Sequence, residues 1–328
     1  MHSIATVLRR LSRRTASTPV DDGAWLDAAE SRSLWDAVLD GALDELELGA
    51  LLASLSMAGE STAELAGLHG ALAARQGRLA FGLPQRPIAI PLYGLVAGEA
   101  AFGALLALFL RRFDVPVVVH GPLDSPQAPS AATLLREQGV LPSPSLAEAE
   151  ADLRARGIAF VPAQLLSPAL GGLVALRTRL GRTNAAHVAA HALDPGGLGA
   201  VRLAMSVPGT ASQGLGGLLA ATPGKALLLS WPASVAPCNL AWRPRIALLA
   251  DGEESVLFEA ENTGRVAAPV PPGPAEFVPW MRAVVERRAP APPPLVNLAS
   301  ACVHAAGAAA DFMQAKAIVA LHCGRMAA

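Results

Sequence analysis

The chain has 328 residues, 52% of them hydrophobic, and a formal net charge of −1. That length and apolar content suffice for a large core and suggest one sizeable domain with a smaller one. The near-zero balance excludes bulk attraction to nucleic acid or an anionic membrane, so any such attraction has to come from how charge is distributed. Cys238, Cys302 and Cys323 are widely spaced and form no CxxC pair, so neither a zinc site nor a disulfide framework is signalled. A reduced protein of the cytoplasm is the default for such cysteine usage. Arg9, Arg10, Arg13 and Arg14 are followed by no apolar signal core. The uncharged run Leu203–Gly224 is broken by Pro208, Pro223 and several glycines, so it does not read as a membrane span.

In chain order, Ile4, Val7, Leu8 and Leu11 recur at helical spacing with arginine between them. Residues 25–76 read as short antiparallel helices, with Thr62 predicted to cap one of them and Glu64 in its first turn. This piece is acidic: from Asp21 to Glu64 there are eleven Asp or Glu against Arg32 alone, a face that should repel a polyanion.

Residues Phe81–Pro87 form a Gly/Pro linker, and Ile88–Ile90 reads as a short strand. A loop, PLYGLVAG, leads into an apolar helix from Glu99 to Arg112. Val115, Val117, Val118 and Val119 then form a β-branched run typical of a fully buried parallel strand. It ends at His120-Gly121, and a polar loop leads to a helix over Ala131–Gln138 with Ser130 as N-cap and Gly139 just past its end. A loop between the carboxyl end of a parallel strand and a helix is where open α/β sheets bind anions, although an ordinary connection has the same form. The crossover between the two strands should be right-handed.

Further on, Leu146–Arg156 reads as a helix, Ile158–Val161 as a strand and Ser167–Leu180 as a helix with Pro168 in its first turn. A short helix through His187 ends near Asp194-Pro195. Val201–Val207, Ala226–Trp231 and Ile246–Ala250 are further strands, with Glu253-Glu254 a solvated turn. The proline-rich stretches at 269–274 and 290–294 read as loops, and Leu295–Arg325 as a closing helical region. The expected fold is α/β: a small all-helical domain over 1–81, joined by helices of about 167–193, and a larger domain over 82–166 and 194–328 with a mainly parallel central sheet.

No nucleophile elbow, P-loop, GxGxxG or HExxH occurs. His120, His187 and His191 are candidate acid/base or phosphate contacts. His187 and His191 are spaced i, i+4, as in some metal sites, but no third ligand is indicated, so no metal site is expected. Tyr93, in the loop after the first strand, either stacks on a base or fills a hinge. From Leu153 to Ala250 there are nine Arg or Lys and one acid, Asp194. That excess is what an anion-facing cleft would produce, and equally what scatter over unrelated faces would produce.

The order of these pieces resembles the anthranilate phosphoribosyltransferase family, glycosyltransferase family 3. SLWDAVLDGALDELELGALLASLSMAGESTAELAGL is similar to that family's helical domain, and VPVVVHG to the strand before its Lys-His-Gly-Asn-Arg loop. SPALGGLVALRTRLGRTNAAHVAAHALDP is similar to its hinge segment, where Arg177 matches the arginine that contacts anthranilate. The chain departs from the family at three places. PLYGLVAGEA stands where the enzymes have Gly-Thr-Gly-Gly-Asp, Pro122-Leu123 replace Asn-Arg after the bare His-Gly, and SWPASVAPCNLAW lacks the acids that hold magnesium. The resemblance therefore implies a catalytically degenerate member with no cofactor, magnesium being needed only by an active transferase. Asn184-Ala-Ala-His187 with Tyr93 resembles the divergent YbiB-type branch, which implies a homodimer that binds nucleic acid non-specifically and weakly through a basic interdomain cleft.

On that reading Tyr93, His120, Gly121, Asp124, Arg177, Asn184 and His187 line a phosphate or ligand cleft. Arg179, Arg182, Arg202, Lys225, Arg243 and Arg245 face nucleic acid, and no residue is assigned to catalysis or metal. A phosphorylated small molecule is a further expected partner. The alternative is an active transferase of the same family with an altered substrate.

Overall fold

The structure, a computed structural model, describes residues 4–13, 25–124, 129–207, 214–264 and 274–323. Its first layer is helical: α1 (Ile4–Leu11), α2 (Ala28–Leu39), α3 (Glu45–Ala58) and α4 (Thr62–Ala73). Asp27, Asp44 and Ser61 cap the last three, each in a capping box with the glutamate three residues on. The cap of α4 is thus Ser61 and not Thr62. Its hydroxyl accepts from the Glu64 amide, and the Glu64 carboxylate accepts from the Ser61 amide.

The chain then alternates β1 (Ile88–Pro91), α5 (Glu99–Leu110), β2 (Val117–Gly121), α6 (Ala131–Arg136), α7 (Leu146–Arg156) and β3 (Ile158–Pro162). Ser130 caps α6 as its spacing predicts, its hydroxyl accepting from the Thr133 amide. Four short helices follow: α8 (Ala163–Leu166), α9 (Pro168–Ala175), α10 (Arg177–Leu180) and α11 (Ala185–Ala190). The expected helix over 167–180 is therefore two pieces, α9 and α10. These hinge helices return to the first layer, where Leu170, Leu173, Ala186 and Ala190 share a core with Leu51, Leu52, Leu68 and Leu72.

The rest is β4 (Val201–Ser206), α12 (Leu215–Ala221), β5 (Lys225–Ser230), β6 (Trp242–Arg243), β7 (Arg245–Ala250), β8 (Glu253–Phe258), β9 (Glu261–Asn262), α13 (Pro274–Val285), α14 (Pro293–Ala305) and α15 (Phe312–Cys323). The main sheet runs β3-β2-β1-β4-β5-β7-β8. Its first five strands are parallel and β7 and β8 antiparallel. Helix α5, apolar all round, is buried against it through Phe102, Leu105, Leu106 and Phe109.

Two expectations need correction here. Glu253 and Glu254 open the edge strand β8 instead of forming a turn, and their exposed charge is how an edge strand is kept from pairing further. Pro293 and Pro294 belong to the first turn of α14, where a missing amide costs nothing, and not to a loop. The stretch expected to loop at 269–274 lies, up to 273, outside the described residues. Among the described residues no helix is long and apolar enough to cross a membrane.

A candidate ligand site between the two layers

Strand β1 is flanked by β2 and β4, and the chain order reverses there. The crevice outside the carboxyl ends of such strands is where open α/β sheets bind ligands. The loop leaving β1 turns on Gly94 and Gly98, at φ 73° and 80°, a left-handed conformation that favours glycine. This turn aims three loop amides at one side chain, Glu99, the first residue of α5. Its Oε1 accepts from the Gly94 amide at 2.9 Å, and its Oε2 from Leu95 at 2.8 Å and Val96 at 3.2 Å. His191 Nε2 lies 3.5 Å from Oε2, an ion-pair distance, and both side chains are fully buried. Burial works to raise the Glu99 carboxyl, but His191 and the loop amides outweigh it and hold the group below its usual value.

Tyr93 and His120 lie inside the protein, each about 1% exposed. The tyrosine hydroxyl is 3.0 Å from His120 Nδ1. Burial, and then nearby His191, push His120 down to about 3, so the ring is neutral and shares this hydrogen bond with the phenol. Gly121 closes the strand beside the first loop: a Cβ there would lie 2.5 Å from the Leu92 carbonyl oxygen. This glycine, which a phosphate-loop reading assigns to ligand, is required by that backbone approach.

A cavity of about 190 Å³ opens between the layers, lined among others by Tyr93, Asp124, Gln164, Arg177, Thr178 and His187. Arg177 donates from Nη1 to the Gly94 carbonyl at 3.1 Å, which ties the hinge to the β1 loop. Asn184 caps α11, its Oδ1 accepting from the Ala186 amide and its Nδ2 donating to the Leu173 carbonyl. The Asn184 amide in turn donates to His187 Nδ1 at 3.2 Å, and Asn184 Oδ1 lies 3.1 Å from the same nitrogen. The other ring nitrogen, Nε2, is buried with no hydrogen-bond partner. Burial, then Arg177 and His191, lower His187 to about 4. The cavity thus offers a guanidinium and an unpartnered imidazole nitrogen, with the exposed Asp124 at its rim. His187 and His191 do not form a metal pair: His191 Nδ1 faces the His187 carbonyl at 2.8 Å. No cluster suited to a metal occurs among the described residues.

The six residues expected to face nucleic acid do not share one surface. Arg202 is internal, about 1% exposed, and donates to the carbonyls of Ala192, Thr222 and Pro223. It is a structural residue, because a guanidinium in the middle of a buried strand has to find acceptors inside. Lys225 starts β5 opposite Val201, at the amino ends of the parallel strands and away from the crevice. Arg243 and Arg245 are paired with Glu261 and Glu254, and Arg179 with Glu45 at 3.0 Å. Arg182 is exposed and donates to the Ser56 carbonyl, which leaves its charge uncompensated by that bond. Glu99, Gln164 and Thr178 were not singled out from the sequence. A glutamate opening a helix reads as an ordinary first-turn acid, and nothing local shows that it faces backward.

Residues 20–75 match the family model described as glycosyl transferase family, helical bundle domain. The chain is 30% identical over 292 residues to the uncharacterized protein YbiB of Escherichia coli (strain K12), a match covering 88% of this chain and 91% of YbiB. The chain belongs to the anthranilate phosphoribosyltransferase-like glycosyl transferase family. An anthranilate phosphoribosyltransferase of Methylobacterium radiotolerans is 31% identical over 162 residues, so the match spans 49% of this chain and 46% of that enzyme. The fold is that of anthranilate phosphoribosyltransferase from Thermus thermophilus, with a TM-score of 0.70 at 19% identity, over 100% of this chain and 95% of that one. The Saccharomyces cerevisiae enzyme in complex with PRPP and Mg aligns at a TM-score of 0.66 and 12% identity, over 98% of this chain and 94% of that one.

The residues present do not fit a magnesium-bound pyrophosphate. The amides of Gly94, Leu95 and Val96 already hold a carboxylate of the chain itself. The segment after β5, residues 231–243, contains no Asp or Glu.

Proposed function

We propose that this protein is a phosphoribosyltransferase-type fold that no longer carries out pyrophosphate chemistry and binds the phosphate backbone of nucleic acid, without sequence preference, at the hinge side of its cleft. One observation carries the reading: the anion loop of β1 is filled by Glu99, while the hinge keeps cations at the cleft. Arg177 and Arg182 donate only to backbone carbonyls in their observed bonds, which leaves both charges available to phosphates. The exposed pair of Arg179 with Glu45 is no barrier, since pairs open to solvent are screened and exchange readily for a phosphate partner. Arg243 and Arg245 contribute less, because each faces a glutamate. With a net charge of −1 and an acidic helical layer, binding is weak and falls steeply with salt.

A homodimer is part of the proposal. Leu46 and Met57 on α3 are 81% and 74% exposed, an apolar pair that a second copy would cover. Fluorescence anisotropy of a labelled oligonucleotide, titrated at low and at high salt, tests the function. Salt-sensitive binding at micromolar protein is the expected result, and no binding at low salt contradicts it.

A second reading rests on the cavity. A guanidinium and the unpartnered His187 ring line it, a pair that suits a small phosphorylated or carboxylic ligand. A thermal-shift screen with such acids separates the two readings, because a ligand of the native state raises the melting temperature by mass action.

A further inference from the structure

The loop over residues 94–96 has the form of an anion site, and the anion in it is Glu99. A first-turn acid ordinarily reaches the amide at its own helix cap, as Glu30, Glu47 and Glu64 do in their capping boxes. Glu99 reaches backward to three consecutive amides of the preceding loop, at 2.8–3.2 Å, all outside its helix. Successive amides converging on one point form a concavity that binds anions. Glycines at 94 and 98 give the loop the left-handed turns it needs, and Arg177 fixes the loop from the other side through the Gly94 carbonyl. The carboxylate is wholly buried, so its charge has to be met by donors in place, and the three amides supply them, with His191 Nε2 3.5 Å away.

We infer that Glu99 is an internal ligand: the loop after β1 is a small-carboxylate site that the chain occupies with its own side chain, so that no external anion reaches it in the native protein. The inference rests on the geometry of the loop and stands whether or not the cleft binds nucleic acid. Its consequence is a site that reappears when the side chain is shortened. The Glu99→Ala variant leaves a space the size of the lost carboxymethyl group, with three amides facing it.

The test is chemical rescue by formate. Melting temperatures of the full-length protein and of Glu99→Ala are measured in sodium formate and in sodium chloride of equal ionic strength. The native protein is expected to melt alike in both salts, whereas the variant melts lower and recovers several degrees in formate, saturably. Equal melting of the variant in the two salts overturns the inference. Should Glu99→Ala not fold, Glu99→Gln keeps the shape and removes the charge. Hydrogen exchange at the amides of Gly94, Leu95 and Val96 should then be at least about tenfold faster than in the native protein, matching the loss of about 1.4 kcal/mol. Unchanged exchange at those amides overturns the inference equally.

Discussion

Tyr93 and His120 meet through one buried hydrogen bond, 3.0 Å between the phenolic oxygen and Nδ1. It joins the loop after β1 to the end of β2, at the carboxyl ends of the parallel strands. Both side chains are turned into the protein, with His120 almost wholly enclosed and Tyr93 reaching the cavity at its inner wall. Their shared role is to hold the two loops in register, with Gly121 allowing the Leu92 carbonyl to pass.

Replacing Tyr93 by Phe removes the hydroxyl and leaves His120 Nδ1 buried and unpaired. An unsatisfied buried polar group costs about 1–3 kcal/mol. Urea unfolding should show Tyr93→Phe destabilised by that amount, with its oligonucleotide affinity within a factor of about two of the native value, well under the tenfold that 1.4 kcal/mol represents.

Stability should fall as the pH is lowered below about 6.5. His120 and His187 are held neutral in the folded protein, near 3 and 4, by burial first. In the unfolded chain each takes up its proton near 6.5. Between those values the unfolded state binds more protons, so each ring lowers stability by about 1.4 kcal/mol per pH unit as the pH drops. Glu99, held below its usual value, adds to the loss once the pH passes below about 4.3. Asp194, raised by burial, acts in the opposite direction in the acid range. Denaturant midpoints at pH 7 and pH 5 measure the slope, and His120→Gln should reduce it.

The cations of the hinge should differ from those elsewhere in what they do to binding. Arg177→Ala and Arg182→Ala are each expected to lessen the slope of log affinity against log salt by about one, as the loss of a phosphate contact does. Lys225→Ala, at the opposite end of the parallel strands, should leave the slope unchanged. Anisotropy titrations at several salt concentrations compare them directly.

Much of the fold was legible because its signals are local. The valine run of β2, the Ser130 cap and the apolar periods of the first layer each carry their own physical reason, and the structure bears them out. The site was less legible. Glu99 acquires its role from the direction of three amides, which depends on backbone torsions at Gly94 and Gly98. Arg202 looked like any other arginine in a basic stretch. Its place between Val201 and Leu203, in a strand buried on both faces, was the available sign that it serves the interior. β8 was hidden by its charge, since an edge strand that begins Glu-Glu reads like a solvated turn.

On the proposed function, the cleft has kept its form and no longer binds pyrophosphate. Isothermal titration calorimetry of the full-length protein with phosphoribosyl pyrophosphate and magnesium tests it most directly. The loop amides held by Glu99 and the acid-free segment after β5 predict no saturable heat up to millimolar ligand, weaker than the roughly −4.1 kcal/mol of a millimolar complex. Saturable magnesium-dependent binding in the micromolar range would contradict the account.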